Sequence, residues 1–189
     1  LERKSRQKEL SHAANILQAG SLCDGNQHFI CLEEPILRNY FREQLKQLHQ
    51  ELTEMGKTCE MAISAASEAL LKNNDALAAA AENAEEELDR QEREVEDLCL
   101  KLLLRQQPVA RDLRQISAAL KMISDLERIG DQAADIAELA RFIRVPVENL
   151  HIAEMTQAVI RMVTDSVNAF VQRDLELARA VCAADDQVD

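Results

Sequence analysis

The sequence predicts an all-α chain, and two observations carry that prediction. Apolar residues fill 47% of the 189 positions, yet only five are aromatic, with four glycines and three prolines. Strand and turn formers are therefore scarce, while Ala, Leu, Glu, Gln and Arg abound. Apolar side chains also recur at alternating steps of three and four over long stretches, the spacing that gives a helix one buried stripe.

Residues 1–36 do not share that pattern and read as an atypical N-terminal arm or leader. His12, Cys23, His28 and Cys31 fall there, but their spacing matches no common zinc finger. From Leu37 the periodicity sharpens. Leu45, Leu48, Leu52, Met55, Cys59, Ala62 and Ala66 keep strict three-four alternation, which predicts a first helix of about thirty residues ending at Asn73-Asn74-Asp75. A second helix follows, with Leu88, Val95, Leu98 and Leu102 inward, and stops at Gln106-Gln107-Pro108. A third carries Val109, Leu113, Ile116, Leu120 and Ile123 on its seam and fades at Arg144-Val145-Pro146. Three long helices with short connections predict an antiparallel three-helix bundle over residues 37–145.

The pattern then restarts. A shift of 100 places Glu54, Met55, Leu77, Ala78, Ala84 and Asp89 on Glu154, Met155, Leu177, Ala178, Ala184 and Asp189 without a gap. Residues 146–189 thus predict the start of a second such bundle, incomplete in this chain because the match stops at the counterpart of Asp89.

Composition excludes several function classes. A formal charge of −12 argues against a nucleic-acid surface, which needs a basic stripe to displace counterions. No run of about eighteen apolar residues exists to cross a membrane. Five cysteines without a CxxC spacing predict buried, reduced thiols and a cytoplasmic setting.

The chemistry concentrates on the acids. Continuing the seam of the third helix places Glu127 where an apolar residue is expected and Gly130 one turn on; Glu127, Asp131 and Asp135 then follow at i, i+4 and i+8. Like charges at that spacing repel by a few tenths of a kcal/mol per pair. Glu85 and Asp89 form a similar pair on the second helix, and Asp185 and Asp189 are its counterparts one repeat later. In an antiparallel bundle Asp89 and Asp131 stand at similar heights on either side of Pro108 and could meet at one site. Either a hard cation held by oxygen ligands neutralises these carboxylates, or arginines such as Arg90, Arg93 and Arg128 pair with them on a solvated face. Oxygen ligands favour Fe, Mn, Mg or Ca over zinc. Arg105, Arg111 and Arg114 form a basic cluster suited to capping and interhelical ion pairs or, for Arg111 and Arg114, to partner or phosphate contact. The single ExxH of Glu148 and His151 falls short of the two copies that a di-iron bundle uses. The rival reading is a carboxylate-bridged metalloenzyme of helical-bundle type. It would ordinarily draw on histidine ligands, and no histidine lies between Leu52 and Leu150.

The run Gln107-Pro108-Val109-Ala110-Arg111-Asp112-Leu113-Arg114, followed by Leu126-Glu127-Arg128-Ile129-Gly130-Asp131, resembles the signature of the PhoU family. The opening Arg38-Asn39-Tyr40-Phe41 with Gln44-Leu45 is similar to the usual start of such proteins, with Leu37 where an initiator methionine is expected. The resemblance implies tandem three-helix bundles and a regulator without catalytic activity. Such a protein would act on phosphate uptake and repress phosphate-starvation genes, as an adaptor between the ATPase subunit of the phosphate ABC transporter and a sensor histidine kinase. It would be peripheral to the membrane through those partners, with a homodimer also compatible. It further implies that Glu85, Asp89, Glu127, Asp131 and Asp135 hold metal ions, a multinuclear iron cluster among the forms. Asp135 stands where many relatives carry Asn.

Overall fold

The structure, a computed structural model, describes residues 30–106, 110–143 and 151–185. Residues 1–29, the Pro108 loop (107–109), the stretch 144–150 and residues 186–189 lie outside the described residues, and with them most of the expected arm, including His12, Cys23 and His28. The described residues form five α-helices: α1 Ile30–Lys72, α2 Asp75–Gln106, α3 Ala110–Ala140, α4 Ile152–Gln172 and α5 Leu175–Asp185. Internal contacts divide the chain into Leu1–Arg42 and Glu43–Asp189, and the bundle belongs to the second unit.

The periodicity of α1 and α2 translates directly into burial. Leu45, Leu48, Leu52, Met55, Cys59, Ala62 and Ala66 are all buried on α1, as are Leu88, Val95, Leu98 and Leu102 on α2. Each large side chain taken out of water there stabilises the fold by about 1.5–3 kcal/mol. The third helix differs from its expected seam. Its buried stripe is Ile116, Ala119, Ile123, Leu126, Gly130, Ala133, Ala137 and Ala140, whereas Leu113 is exposed and Leu120 half-buried. Ile116 and Ile123 are buried as expected, but beside them the small Ala119, Gly130, Ala133, Ala137 and Ala140, with Leu126, take the places nearest the neighbouring helices and let α3 approach closely. Glu127 therefore flanks the seam beside Leu126 and does not interrupt it.

Two contacts fix α3 in place. The Cys59 thiol donates to the Leu126 carbonyl across 3.9 Å, and burial followed by the nearby Glu60 charge pushes that thiol's pKa up to about 12, so it stays protonated. Cys99 is likewise buried and free. On the other side, a Cβ placed on Gly130 would overlap the Leu88 Cδ1 methyl and stand 3.6 Å from Leu88 Cβ and Cγ. Glycine there sets the distance between α2 and α3.

The repeat is visible in the fold. The α1–α2 turn has Asn73 at φ 48 and the α4–α5 turn has Arg173 at φ 58, both left-handed. The next residue in each turn, Asn74 or Asp174, caps the following helix: Asn74 Oδ1 accepts from the Ala76 N–H at 2.9 Å, and Asp174 Oδ1 from the Glu176 and Leu177 N–H groups at 3.0 Å. Each pair of equivalent turn residues lies 100 positions apart. Helix α4 packs antiparallel on α1 with the same symmetry. Gly56 meets Val167, with 3.1 Å between a Cβ built on the glycine and Val167 Cγ2, and the Ser67 and Thr156 hydroxyls hydrogen-bond at 2.7 Å. Shifting each residue by the repeat offset turns one of these pairs into the other.

His49 ties three helices together. The Gln115 side-chain amide donates to His49 Nε2, Arg173 donates to Gln115 Oε1 at 2.7 Å, and the imidazole meets the Phe170 ring edge-on at a 6.1 Å centroid separation. Burial, then the Arg173 charge, holds the His49 pKa below its ordinary 6.5. Only the neutral ring offers the acceptor that Gln115 uses.

Two outcomes follow from this packing. Gly130→Ala forces Leu88 out of its buried position and destabilises the protein by about 1–2 kcal/mol despite the better helix propensity of alanine. Adding Leu88→Ala makes the pair less costly than the sum of the single changes in denaturant titrations. A base whose pKa is lowered by folding contributes stability above its unfolded value and loses it as pH falls through the folded value. The thermal midpoint accordingly drops between about pH 7.5 and about pH 5.5, and His49→Gln flattens that part of the profile.

Candidate functional site

Helices α2 and α3 pack along their length, and each brings acids to a shared face. Glu85 and Asp89 are half-buried on α2; on α3 Glu127 is half-buried and Asp131 exposed. Ser124 on α3 donates to Glu92 on α2 at 2.9 Å, so the two rows lie close enough for their charges to act on one another. The pKa of Glu85 is raised by partial burial first, then by Asp89, by Asp131 across the helix pair, and by Glu86. The pKa of Glu127 is raised by partial burial first, then by Asp131, and by Glu92 and Asp89 across the helix pair, with a hydrogen bond to Asp131 favouring its protonated form. Asp89 and Asp131, placed at similar heights by their distances from Pro108, thus act on the same two glutamates.

Glu92 is a member of this group that the motif pairs did not include. It is half-buried and accepts from the Ser124 hydroxyl at 2.9 Å. Its signal is present in the sequence, since Glu85, Asp89 and Glu92 follow the four-three step of one helix face. The remaining candidates are placed apart. Asp135 is exposed one turn beyond Asp131 and enters no ion pair or hydrogen bond among the described residues. Asp185 is exposed at the end of α5, and Asp189 lies outside the described residues. Arg111 and Arg114 are exposed. Arg111 lines an open recess of about 530 Å³ with Gln115, Phe170 and Arg173.

Both sequence readings of the acids leave a trace. The donor set is all oxygen, which suits a hard cation. Counter-charges also reach part of it: Arg93 pairs with Asp89 at 2.5 Å, Arg90 bridges Glu87 and Glu94, and Arg128 turns to Asp125 at 3.3 Å. Among the described residues, no three His, Cys, Asp or Glu side chains are arranged to hold a metal ion. The acids therefore form a repelling group in which, among the described residues, Asp89 alone of the predicted ligands has a cationic partner. Asp131→Asn in metal-free protein raises the thermal midpoint at low ionic strength, and the gain shrinks in high salt, because the energy removed is screened repulsion.

Comparison with known proteins places this arrangement in context. The PhoU domain model matches residues 52–140 and 152–189, two stretches whose starts are separated by the repeat offset. The chain is 38% identical over 158 residues to a phosphate-specific transport system accessory protein PhoU homolog of Clostridium acetobutylicum, covering 80% of this chain and 71% of the relative. It is 37% identical over 152 residues to the homolog of the same description from Aquifex aeolicus, covering 78% and 68%. The crystal structure of PhoU from Pseudomonas aeruginosa superposes with a TM-score of 0.73 at 30% identity, covering 78% of this chain and 72% of that one. With the family model matching most of the chain and relatives up to 38% identical over 80% of it, the chain belongs to the PhoU family.

Proposed function

We propose that this protein is an accessory regulator of phosphate transport, a metal-binding helical adaptor and not an enzyme. It would link the ATPase subunit of the phosphate ABC transporter to a sensor histidine kinase and thereby repress phosphate-starvation signalling. The transport role is supported by relatives described as phosphate-specific transport system accessory proteins. Among the described residues no helix is long and apolar enough to cross a membrane, which agrees with a cytoplasmic protein reaching the membrane through partners.

The observation that carries the metal reading is the meeting of Glu85 and Asp89 with Glu127 and Asp131 from two separate helices. Carboxylates brought together by the fold raise one another's pKa at a cost in stability, and that cost is relieved by a bound cation. Glu85, Asp89, Glu127 and Asp131 would hold the metal, with Glu92 alongside and Asp89 released from Arg93. Asp135 would join from the next turn. A bound metal supplies positive charge and a cross-link between α2 and α3. The oxygen donors accommodate iron, singly or as a cluster, as well as Mn, Mg or Ca. The chain's own contribution is to position the acids: Gly130 sets the helix spacing, and Leu88 and Leu126 close the seam behind them.

Elemental analysis of protein purified without chelator, run beside co-purification with the transporter ATPase subunit, tests both halves. The wild type retains metal and co-elutes with the ATPase. Glu127→Ala/Asp131→Ala loses most of the metal and gains none on reconstitution. Equal metal in both proteins removes the site assignment, and failure of the metal-loaded wild type to bind the ATPase removes the adaptor role.

A further inference from the structure

Three elements meet at the His49 imidazole, and the hydrogen bonds there run in one direction only. Arg173, which can donate but not accept, gives a hydrogen bond to Gln115 Oε1 at 2.7 Å. That contact orients the Gln115 amide, whose oxygen faces Arg173 and whose NH2 faces His49 Nε2. Nε2 must then accept, and it can accept only while it carries no proton. The Phe170 ring closes the group edge-on, with 6.1 Å between ring centroids, and His49 and Gln115 are both half-buried.

A proton on Nε2 reverses that direction. His49 becomes a donor, and the Gln115 amide has to turn over to offer the ring its oxygen. Its NH2 then faces the Arg173 guanidinium, donor against donor, and Arg173 loses its hold on α3. The backbone adds to the effect. Arg173 sits at φ 58, a left-handed conformation that arginine adopts against its own preference, so the turn relaxes once the side chain is free. The contacts of α4 with α1 do not pass through the ring: Thr156 donates to Ser67 and Thr164 to Glu60. Release is therefore confined to the end of α4 and the turn that follows. Other charges stand on the elements that meet the ring. Lys46, one turn before His49, pairs with Glu43 at 2.7 Å, Asp112 is half-buried one turn before Gln115, and Arg111 and Asp174 line a recess with Arg173. Burial first, then the Arg173 charge, disfavours the protonated ring. The closed state thus holds above the ordinary pKa of 6.5 and is lost as pH falls below it.

We propose that His49, Gln115 and Arg173 form a proton-operated latch, which holds the α4–α5 turn on α3 while the imidazole is neutral and releases it on protonation. The amide of Gln115 is the moving part, since its two ends differ only in whether they donate or accept. What changes is the coupling of the second repeat to α3, with the helices themselves intact. The proposal stands independently of the phosphate-transport reading.

Hydrogen exchange of the full chain tests it, read by mass spectrometry at about pH 7.5 and about pH 5.5 and corrected for the intrinsic pH dependence of exchange. Exchange in the segment that spans Phe170 to Ala178 is expected to speed up about fivefold or more at the lower pH. The seam amides of α1 and α2 keep their protection, and helicity by circular dichroism is unchanged. His49→Gln removes the response. In Gln115→Glu the carboxylate accepts from Arg173 and from protonated His49 at once, so the turn stays protected at both pH values, a result that loss of packing would not give. His151→Gln, which changes the other histidine among the described residues, leaves the response as it is in the wild type. Equal protection of the turn at both pH values in the wild type overturns the proposal. So does a response that survives His49→Gln or Gln115→Glu, or one that vanishes in His151→Gln. Loss of protection spread evenly over all the helices shows general destabilisation and equally overturns it.

Discussion

The close approach of α2 to α3 is the constraint from which most of this structure follows. It depends on a place where one helix has no side chain: Gly130, with the buried Leu88 lying over it. A wider spacing would leave Leu88 and Leu126 without partners, and it would also separate Glu85 and Asp89 from Glu127 and Asp131. Apolar gain and electrostatic cost thus have one geometric cause. The seam stabilises by burying large and small side chains together, while acids immediately outside it are forced into one another's field. A fold that only needed stability would place lysine or arginine on one of those two rows. Here the described cations reach mainly Asp89 and acids outside the predicted ligand set.

Much of this was legible in the residues, and the exceptions have physical reasons. On α1 every residue of the strict three-four alternation is buried, because large side chains spaced that way have only one place to go. Counting outward from Pro108 set Asp89 and Asp131 at similar heights, and in the structure both act on Glu85 and Glu127. On α3 the same counting held at Ile116 and Ile123 and failed at Leu113 and Leu120. Leu113 and Leu120 fit the spacing as well as Ala119 and Leu126 do, and periodicity alone does not tell which side of the shared Ile116 and Ile123 turns to the neighbouring helices. Glu92 escaped because the motif pairs two acids at i, i+4 and does not ask what lies a further three residues on. The ring of His49, Gln115 and Arg173 joins α1, α3 and the α4–α5 turn, and no local pattern in any one helix announces it.

The repeat shows the same division between pattern and packing. A gapless offset of 100 could be read from identities at scattered positions, but helical sequences match one another easily. What makes the relation structural is the pair of turns, each with a left-handed residue followed by a side chain that caps the next helix. Asn73 tolerates that backbone region readily, and Arg173 does not. An arginine in the left-handed region is recognisable as equivalent only once the coordinates place it. The crossing of α1 and α4 then follows as a near two-fold contact, with Gly56 and Val167 exchanging roles with Thr156 and Ser67.

These relations place the acidic face and the second repeat in mechanical contact through α3. On one side α3 carries Glu127 and Asp131 beside α2. On the other its Leu126 carbonyl accepts the Cys59 thiol, and its Gln115 holds both His49 and Arg173. Any change in charge balance between α2 and α3 acts on the spacing that Gly130 sets. A helix as tightly packed as α3 does not absorb such a change locally, because protein interiors are dense and transmit strain. The elements that share its remaining contacts are α1, through Cys59 and His49, and the turn after α4, through Arg173. The helix that carries half of the acidic face is thus also the helix that touches both repeats, so the spacing of the acids and the packing of the repeats are set by the same element.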